Sequence, residues 1–286
     1  MKKVKRQVKQ LIKAYKLKAK ILLGQTYKGH RNQPIVFILS TGRCGSTSIK
    51  DIFNQHPKFI AFHEDIRPLI HLSTELAEHP ERQKAIYKEL DSLFAKRLWE
   101  AKNGQIIVHS DHRLWNLVPY LSNYFPNAYF IHLIRNPYDS VKSFIQRDWH
   151  KNDDINQNDT LFDKHRLYGD RVKDVSPKAW HDYDQIDKCL WYWNYVNQQI
   201  HNQLLTLNPS NHSFIKLETL ESDMNKLITP KFGIEHPFKF KAVLKNQSIK
   251  ELKDDLIESQ IKERIKSQSL QLFLDYYPEF KLIKHV

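Results

Sequence analysis

Residues 40–48 combine glycines, hydroxyl side chains and an arginine, residue types that bind anionic oxygen atoms. They follow an apolar run at 35–39, and apolar residues continue after them at positions 49, 52 and 53. This order predicts a strand, a tight loop and a helix. Because the first backbone N–H groups of a helix have no partner within it, such a loop binds negatively charged groups. We therefore expect a phosphate-like group to bind here.

The residue types of this loop have distinct parts in anion binding. Gly42 and Gly45 permit unusual backbone angles and a close approach of the ligand, and Arg43 adds a fixed positive charge. The candidate cofactor-binding residues of the loop are Gly42, Arg43, Cys44, Gly45, Ser46, Thr47 and Ser48. The nucleoside-triphosphate version of such a loop has a lysine after its last glycine, whereas a serine follows Gly45. A donor with one 5′-phosphate that carries a transferable group therefore fits better than ATP.

A second candidate site follows the apolar run 129–134. Arg135 ends this predicted strand, and Pro137 suits the first turn of a helix. Ser143 comes about two helical turns later and Arg147 one turn after it, so these two side chains share a helix face. Arg135, Ser143 and Arg147 can then converge on a second phosphate. Two phosphate sites at the ends of two strands predict a nucleotide phosphorylated at both its 5′ and 3′ positions.

Together the two segments resemble those of the sulfotransferase superfamily, whose donor is 3′-phosphoadenosine 5′-phosphosulfate. The resemblance implies a 5′-phosphosulfate loop at 40–48 and a 3′-phosphate site at Arg135 and Ser143, with Arg147 also matching a 3′-phosphate-binding arginine. The motif spacing is most similar to the tyrosylprotein and carbohydrate sulfotransferase branch. Its loop contains R-S-G-T-T, where residues 43–47 here read R-C-G-S-T. The resemblance in order and spacing spans about residues 34–250.

The resemblance also implies catalytic roles. Arg43 is the candidate for stabilising charge at the bridging oxygen, and Ser143 positions the 3′-phosphate and restrains Arg43. Glu64 is the candidate general base, since the branch runs from a His-Pro pair to a glutamate, as residues 56–57 run to Glu64 here. The base has a rival in His109 or His112, because histidine has a suitable unperturbed pKa and cytosolic relatives keep a catalytic histidine in that region.

Two later positions relate to the nucleotide. Lys245 resembles a lysine in a loop that closes over the nucleotide in relatives, and we add it to the candidate cofactor-binding residues. The family often has Tyr-Glu near the adenine, where this chain has Leu217 and Glu218. The missing tyrosine removes one expected contact with the nucleotide and leaves the donor class unchanged.

Strand and helix patterns alternate from Pro34 onward. This alternation predicts an α/β fold with a central parallel β-sheet flanked by helices, with ligands at the carboxyl ends of the strands. The resemblance implies a P-loop-nucleotide-hydrolase-like sulfotransferase fold. The predicted strands are 35–40, 58–62, 105–109, 128–134 and 212–217, and the predicted helices include 46–55, 66–79, 81–101, 113–125, 137–148 and 184–207.

The chain divides into a basic arm and one domain. Residues 1–30 are expected to form a basic amphipathic N-terminal helix or arm, and residues 31–286 the sulfotransferase domain. Residues 150–183 are polar and interrupt the pattern, so we expect a mobile loop over the acceptor site.

Net charge is +13, and residues 1–50 contain thirteen lysines and arginines without one acidic residue. The rest of the chain has balanced charge, which argues against nucleic acid as a partner. The apolar stripe and lysines of residues 2–23 suit either an anionic membrane surface or packing against the domain itself. With two cysteines, no apolar run of about 20 residues and no secretory signal, we expect a cytoplasmic protein.

These observations predict an enzyme that moves a sulfuryl group in line to a hydroxyl or amine, without a metal. The expected acceptor is a small molecule or glycan, with a carbohydrate or glycolipid preferred. One alternative is a phosphotransferase with a degenerate P-loop, which needs ATP and magnesium. The other is a nucleotide-binding module without turnover that uses the basic arm.

Overall fold

The structure is a computed structural model that describes residues 31–98, 104–151, 165–238, 255–268 and 271–278. The predicted helix at 2–23, the central part of the predicted loop 150–183 and Lys245 lie outside the described residues.

Five parallel strands form the central sheet, in the order β2-β3-β1-β4-β5. They are β1 (Ile35–Leu39), β2 (Phe59–His63), β3 (Ile106–Ser110), β4 (Ala128–Ile134) and β5 (His212–Lys216). Every residue of β1, β3 and β4 is buried, which is why their sequences are almost continuously apolar. The predicted α/β class and parallel sheet are confirmed.

Helices connect the strands and cover both faces of the sheet. The α-helices are α1 (Ser46–Phe53), α2 (Leu69–Glu78), α3 (Gln83–Leu98), α4 (Val118–Tyr124), α5 (Pro137–Ile145), α6 (Pro177–Asp182), α7 (Gln185–Leu205), α8 (Leu220–Asp223), α9 (Thr229–Lys231), α10 (Asp255–Gln268) and α11 (Gln271–Tyr276). Single 3₁₀ turns lie at Pro80–Arg82, His112–Leu114, Pro209–Asn211 and Leu217–Thr219, and a π-helical turn lies at Met224–Ile228.

The core has two parts, one on each face of the sheet. Because side chains alternate along a strand, Phe37 and Leu39 of β1 join the larger cluster, with residues of α2 to α5 and α7. Val36 and Ile38 face the opposite cluster, with residues of α1 and of the segment 220–238. Both faces are thus covered, and the carboxyl edge of the sheet carries the loops.

The structure differs from the predicted helix at 113–125. A 3₁₀ turn at His112–Leu114 comes first, and α4 begins only at Val118. The reason is Pro119, which lacks an N–H and fits the first turn of a helix but not its interior. The described part of the predicted loop 150–183 contains α6. Leu167, which precedes this helix, and Trp180 within it are buried in the larger core cluster.

Candidate active site

The two predicted phosphate segments are neighbours at the carboxyl edge of the sheet. Strand β1 lies at the centre, paired with β3 on one side and β4 on the other. The loop 40–45 that follows β1 therefore lies beside Arg135, which follows β4. The segment 111–117 after β3 borders the same loop from the other side.

Three residues of the loop after β1 have backbone angles in the left-handed region. The φ angles are +80° at Gly42, +57° at Arg43 and +72° at Gly45. Gly45 caps α1, and its carbonyl accepts a hydrogen bond from the backbone N–H of Ile49 at 3.1 Å. A Cβ at Gly45 would lie 2.8 Å from a methyl carbon of Leu217. Leu217, at the position of the family's tyrosine, thus packs against the loop.

The Cys44 side chain points into the protein. It is 1% exposed, and its thiol donates to the Gly42 carbonyl at 3.1 Å. Burial raises the pKa of the Cys44 thiol, against a smaller opposite effect of its contact with Thr41. The side chain therefore holds the loop together, and only the backbone N–H of Cys44 is left to contact a ligand.

A histidine that the sequence analysis did not single out contacts the loop. The Nε2 of His63 lies 3.0 Å from the Thr47 hydroxyl, and its Nδ1 lies 3.1 Å from the Ser110 carbonyl oxygen. Since a carbonyl only accepts, Nδ1 carries a proton and donates to Ser110. The other two residues with candidate hydroxyl groups, Ser46 and Ser48, are both buried at the start of α1.

Three arginines gather where the loop meets α5. The Nε of Arg43 donates to the Ser143 hydroxyl at 3.0 Å, and an Nη of Arg135 donates to the Arg43 carbonyl at 3.1 Å. Partial burial lowers the pKa of Arg43, and the positive charges of Arg147 and Arg135 lower it further. The structure therefore brings together the four predicted residues Arg43, Arg135, Ser143 and Arg147.

This cluster fits a polyanionic ligand. The Nε of Arg135 is buried and has no hydrogen-bond partner within the described structure. Such a buried donor is costly unless an acceptor satisfies it. Asp139 pairs with another nitrogen of Arg135 at 3.4 Å, so one carboxylate faces three neighbouring guanidinium groups. A phosphate oxygen supplies both an acceptor for Nε and further negative charge. The residues present thus match the bisphosphate nucleotide expected from the sequence.

The start of α5 is fixed from several directions. Asn136 caps the helix by accepting from the Asp139 backbone N–H at 2.9 Å, and Pro137 occupies the first turn. The indole N–H of Trp193 donates to the carbonyl of Arg135 at 2.9 Å. These contacts hold the backbone that presents the Arg135 and Ser143 side chains.

Glu64 forms a pair with His112. Its Oε1 lies 2.8 Å from Nδ1 of His112, and its backbone has a φ of +48°. The Glu64 N–H donates to the Ser110 carbonyl at 3.1 Å, which fixes this strained turn after β2. Burial raises the pKa of Glu64, but the charge and hydrogen bond of His112 lower it more, so the net pKa lies below its usual value. Glu64 is thus held as a carboxylate.

His109, the other rival base, lies in a different environment. It is fully buried, with its ring 6.4 Å from that of Phe37 and 6.1 Å from that of Phe94. Its ring nitrogens lie 3.9 Å from Asp65 and 3.8 Å from Asp111. The structure therefore brings His112 beside Glu64 and leaves His109 in the core.

Glu64, Asp111 and His112 are the one group of described residues with ligand atoms close enough, within 4.8 Å, to hold a metal ion. However, both oxygens of Asp111 accept hydrogen bonds from Arg113, each at 2.6 Å. Burial raises the pKa of Asp111, but its contacts with His109 and Arg113 lower it more. Because the guanidinium already neutralises this carboxylate, the group is better suited to an acid–base pair.

Trp149 was also missed by the sequence analysis, and it borders His112 and the donor loop. A Cβ added at Gly42 would lie 3.4 Å from the Trp149 ring and 3.4 Å from the His112 ring. One face of Trp149 stacks on Phe144, with ring centres 4.4 Å apart and planes at 4°. The Arg166 guanidinium lies 4.3 Å from the ring centre, and since Phe144 occupies the first face, it covers the second.

Within the described residues, no helix is both long and apolar enough to cross a lipid bilayer.

The chain is similar to several solved structures and to one family profile. No curated protein sequence matches the chain. One similar solved structure is a sulfotransferase from Alicyclobacillus acidocaldarius, with 15% identity, 80% of this chain and 90% of that chain covered, and a TM-score of 0.47. The others are sulfotransferase domains from the curacin biosynthetic pathway (18%, 72% and 75%, 0.44) and from the Synechococcus PCC 7002 olefin synthase (17%, 69% and 71%, 0.40).

The profile of the sulfotransferase family matches residues 34–229, which is most of the chain and includes both phosphate segments, Glu64 and His112. The chain therefore belongs to the sulfotransferase family, whose members are enzymes that transfer sulfur-containing groups.

Proposed function

We propose that this sulfotransferase moves a sulfuryl group from 3′-phosphoadenosine 5′-phosphosulfate to a hydroxyl or amine acceptor. The observation that carries the proposal is the cluster of Arg43, Arg135 and Arg147 around Ser143, with the unpartnered Nε of Arg135 inside it. The residues 40–48 would bind the 5′-phosphosulfate, and Arg135, Ser143 and Arg147 the 3′-phosphate. The bound donor supplies a sulfuryl group on a phosphate leaving group.

Glu64 is suited to take the acceptor proton. Its pKa lies below the usual range because of His112, so it is a carboxylate at neutral pH. As the acceptor oxygen or nitrogen bonds to sulfur, its proton passes to Glu64. The bond from sulfur to the bridging oxygen breaks, and its electron pair leaves with adenosine 3′,5′-bisphosphate. Before the transfer, His112 holds the Glu64 carboxylate in place by its hydrogen bond.

Arg43 is suited to stabilise the charge that develops on the bridging oxygen. Such fixed charges aimed at a transition state are a major source of catalysis. Ser143 accepts a hydrogen bond from Nε of Arg43, so the same serine that meets the 3′-phosphate also orients this guanidinium. Because Arg43 would supply the positive charge at the bridging oxygen, we propose a reaction without a metal.

For the acceptor we propose a carbohydrate or glycolipid hydroxyl. The surroundings of Glu64 are polar on this side, with His112 and the guanidinium of Arg166 beside the Trp149 ring. Both faces of Trp149 are covered, so a sugar would be recognised by hydrogen bonds rather than by stacking on this ring. A screen of labelled sulfate transfer to glycan, glycolipid, peptide and phenol acceptors tests the class. Transfer to peptide or phenol alone would contradict it.

The donor is tested by ligand-induced thermal stabilisation. Because a ligand that binds only the native state raises its stability by RT ln(1 + [L]/Kd), adenosine 3′,5′-bisphosphate at 100 times its Kd should add about 2.7 kcal/mol. The melting temperature should rise equally with EDTA present. ATP with magnesium is the control and should raise it much less. Equal effects of both ligands, or a need for magnesium, would favour the phosphotransferase alternative.

A further inference from the structure

Glu218 joins two distant parts of the chain at the donor site. Its Oε1 accepts hydrogen bonds from the backbone N–H of Asn136 at 2.9 Å and from the Asn136 side-chain amide at 2.7 Å. Its Oε2 accepts from the hydroxyl of Tyr277 at 2.9 Å. One carboxylate thus connects the residue after Arg135 with the C-terminal segment.

Asn136 is a sensitive position for the 3′-phosphate site. It directly follows Arg135, and its own side chain caps the helix that carries Ser143. Trp193 fixes the carbonyl of Arg135, and Glu218 fixes the next N–H group. A shift of the Asn136 backbone would therefore move the Arg135 guanidinium and the first turn of α5 together.

Tyr277 is itself held firmly. It is 2% exposed, its ring lies against that of Phe273 at 5.4 Å, and Nζ of Lys216 lies 4.7 Å from its centre. Phe273 in turn contacts the ring of Tyr138, in the first turn of α5, at 6.0 Å. The hydroxyl of Tyr277 is thus a fixed donor for a charged acceptor, the stronger kind of hydrogen bond.

The segment before Tyr277 is anchored to the same helices. Glu258 of α10 pairs with Lys142 of α5 at 3.5 Å, and Arg264 of α10 donates to Asp184, the cap of α7, at 2.9 Å. Glu258, Arg264 and Tyr277 lie beyond the part of the chain that matches the family, residues 34–229.

We propose that Tyr277 is a positioning residue of the donor site, which acts through Glu218 and Asn136 to hold Arg135 where a 3′-phosphate binds. The inference rests on the proposed donor. In this arrangement, the C-terminal segment completes the nucleotide site without touching the nucleotide. Removing the Tyr277 hydroxyl frees one oxygen of Glu218, and the carboxylate no longer holds Asn136 in a single position.

The test compares the affinities of two nucleotides by calorimetry on the full chain. Adenosine 3′,5′-bisphosphate has the 3′-phosphate, and adenosine 5′-monophosphate lacks it. For Tyr277→Phe, we expect affinity for the bisphosphate to fall about two- to tenfold, the range for one hydrogen bond, with little change for the monophosphate. Tyr276→Phe is the matched control, because it removes the neighbouring hydroxyl, which lies 2.8 Å from His201 Nδ1, away from Asn136.

The outcomes separate this inference from the proposed function. If the unchanged protein binds both nucleotides equally, the proposed donor fails. Suppose instead that the unchanged protein prefers the bisphosphate and that Arg135→Ala removes this preference. If Tyr277→Phe then keeps the full preference, as Tyr276→Phe does, the positioning role is wrong. A general loss of stability would lower the melting temperature but not the ratio of the two affinities. In the double variant with Glu218→Ala, Tyr277→Phe should have no further effect on that ratio.

Discussion

Glu64 lies between opposing influences on its charge. Burial and the nearby Asp111 favour the protonated form, whereas His112 and His63 favour the carboxylate, and the latter prevail. A general base must be ionised before it can accept a proton, so we expect this balance to set the pH range of activity in the role proposed for Glu64.

Glu64→Gln should abolish most turnover. The amide keeps the size of the side chain and can still accept from His112, but it takes no proton. Because general-base catalysis contributes typically about 10²–10⁴-fold, we expect kcat to fall by that range, while affinity for adenosine 3′,5′-bisphosphate hardly changes. Glu78→Gln is the control, since Glu78 is a half-buried glutamate in α2 that pairs with Arg171 at 4.0 Å. Near-normal turnover of Glu64→Gln would show that another group is the base.

His112→Ala should shift the acid side of the pH–rate profile to higher pH. Without His112, the largest influence that lowers the pKa of Glu64 is gone, while burial still raises it. Glu64 then becomes protonated at a pH where it is normally ionised, and activity should recover as pH rises. His79→Ala, at an exposed histidine near the end of α2, should leave the profile unchanged. A His112→Ala variant that is inactive at every pH would assign the base to His112.

At this scale the sequence predicted the residue types better than their contacts. Arg43, Arg135, Ser143 and Arg147 follow from motif spacing, because each lies next to a strand end or on one helix face. The choice among Glu64, His109 and His112 did not follow, since it depends on the alignment of β2 with β3. That register pairs His63 with Ser110 and so brings residue 64 beside residue 112.

Among the structural elements, the loop between β1 and α1 depends most on a glycine, Gly45, whose lack of a side chain permits its backbone angles and its close contact with Leu217. Gly45→Ala and Gly104→Ala both place a Cβ on a left-handed residue, with φ of +72° and +83°. Each should cost about 1–2 kcal/mol of stability. At Gly45 the Cβ also meets Leu217 at 2.8 Å, whereas at Gly104 no atom of the described residues lies within 4 Å. Only Gly45→Ala should therefore weaken binding of adenosine 3′,5′-bisphosphate.

The measurement is a pair of thermal melts and nucleotide titrations. Similar melting temperatures with a selective loss of affinity in Gly45→Ala are the expected result. Equal affinities in the two variants would show that Leu217 rotates away at no cost to the donor loop.

The positions of the strands were predictable to within one residue at each end, because buried parallel strands are almost wholly apolar. The first residues of the helices were less predictable. For example, α4 begins at Val118, directly before Pro119, and not at 113 as the sequence predicted. The order of the strands in the sheet was not predictable from any local pattern. The contact of Glu218 with Asn136 and Tyr277 was missed for the same reason, since it joins three distant segments.

For the whole molecule, the excess positive charge lies in residues 1–50. We propose a cytoplasmic enzyme whose residues 2–23 contact anionic membranes. Deleting them should reduce sedimentation with phosphatidylserine vesicles, because a polybasic segment gains about 1 kcal/mol per lysine or arginine near such a surface. Transfer to a soluble acceptor should stay largely intact. Vesicles of phosphatidylcholine are the control. If the deletion leaves binding to both kinds of vesicle unchanged, the result would favour packing of residues 2–23 against the domain.

The order β2-β3-β1-β4-β5 also has a consequence for the biosynthesis of the enzyme. Strand β1 leaves the ribosome first, yet its pairing partners begin only at Ile106 and Ala128. Folding of such non-local parallel sheets is slow, because distant segments must close before their contacts stabilise them. The loop 40–45 cannot take its final shape until both neighbours arrive, and Arg135 must follow. We therefore expect the proposed nucleotide site to form late in folding, and chains stalled before β4 should not be retained on an immobilised bisphosphate nucleotide.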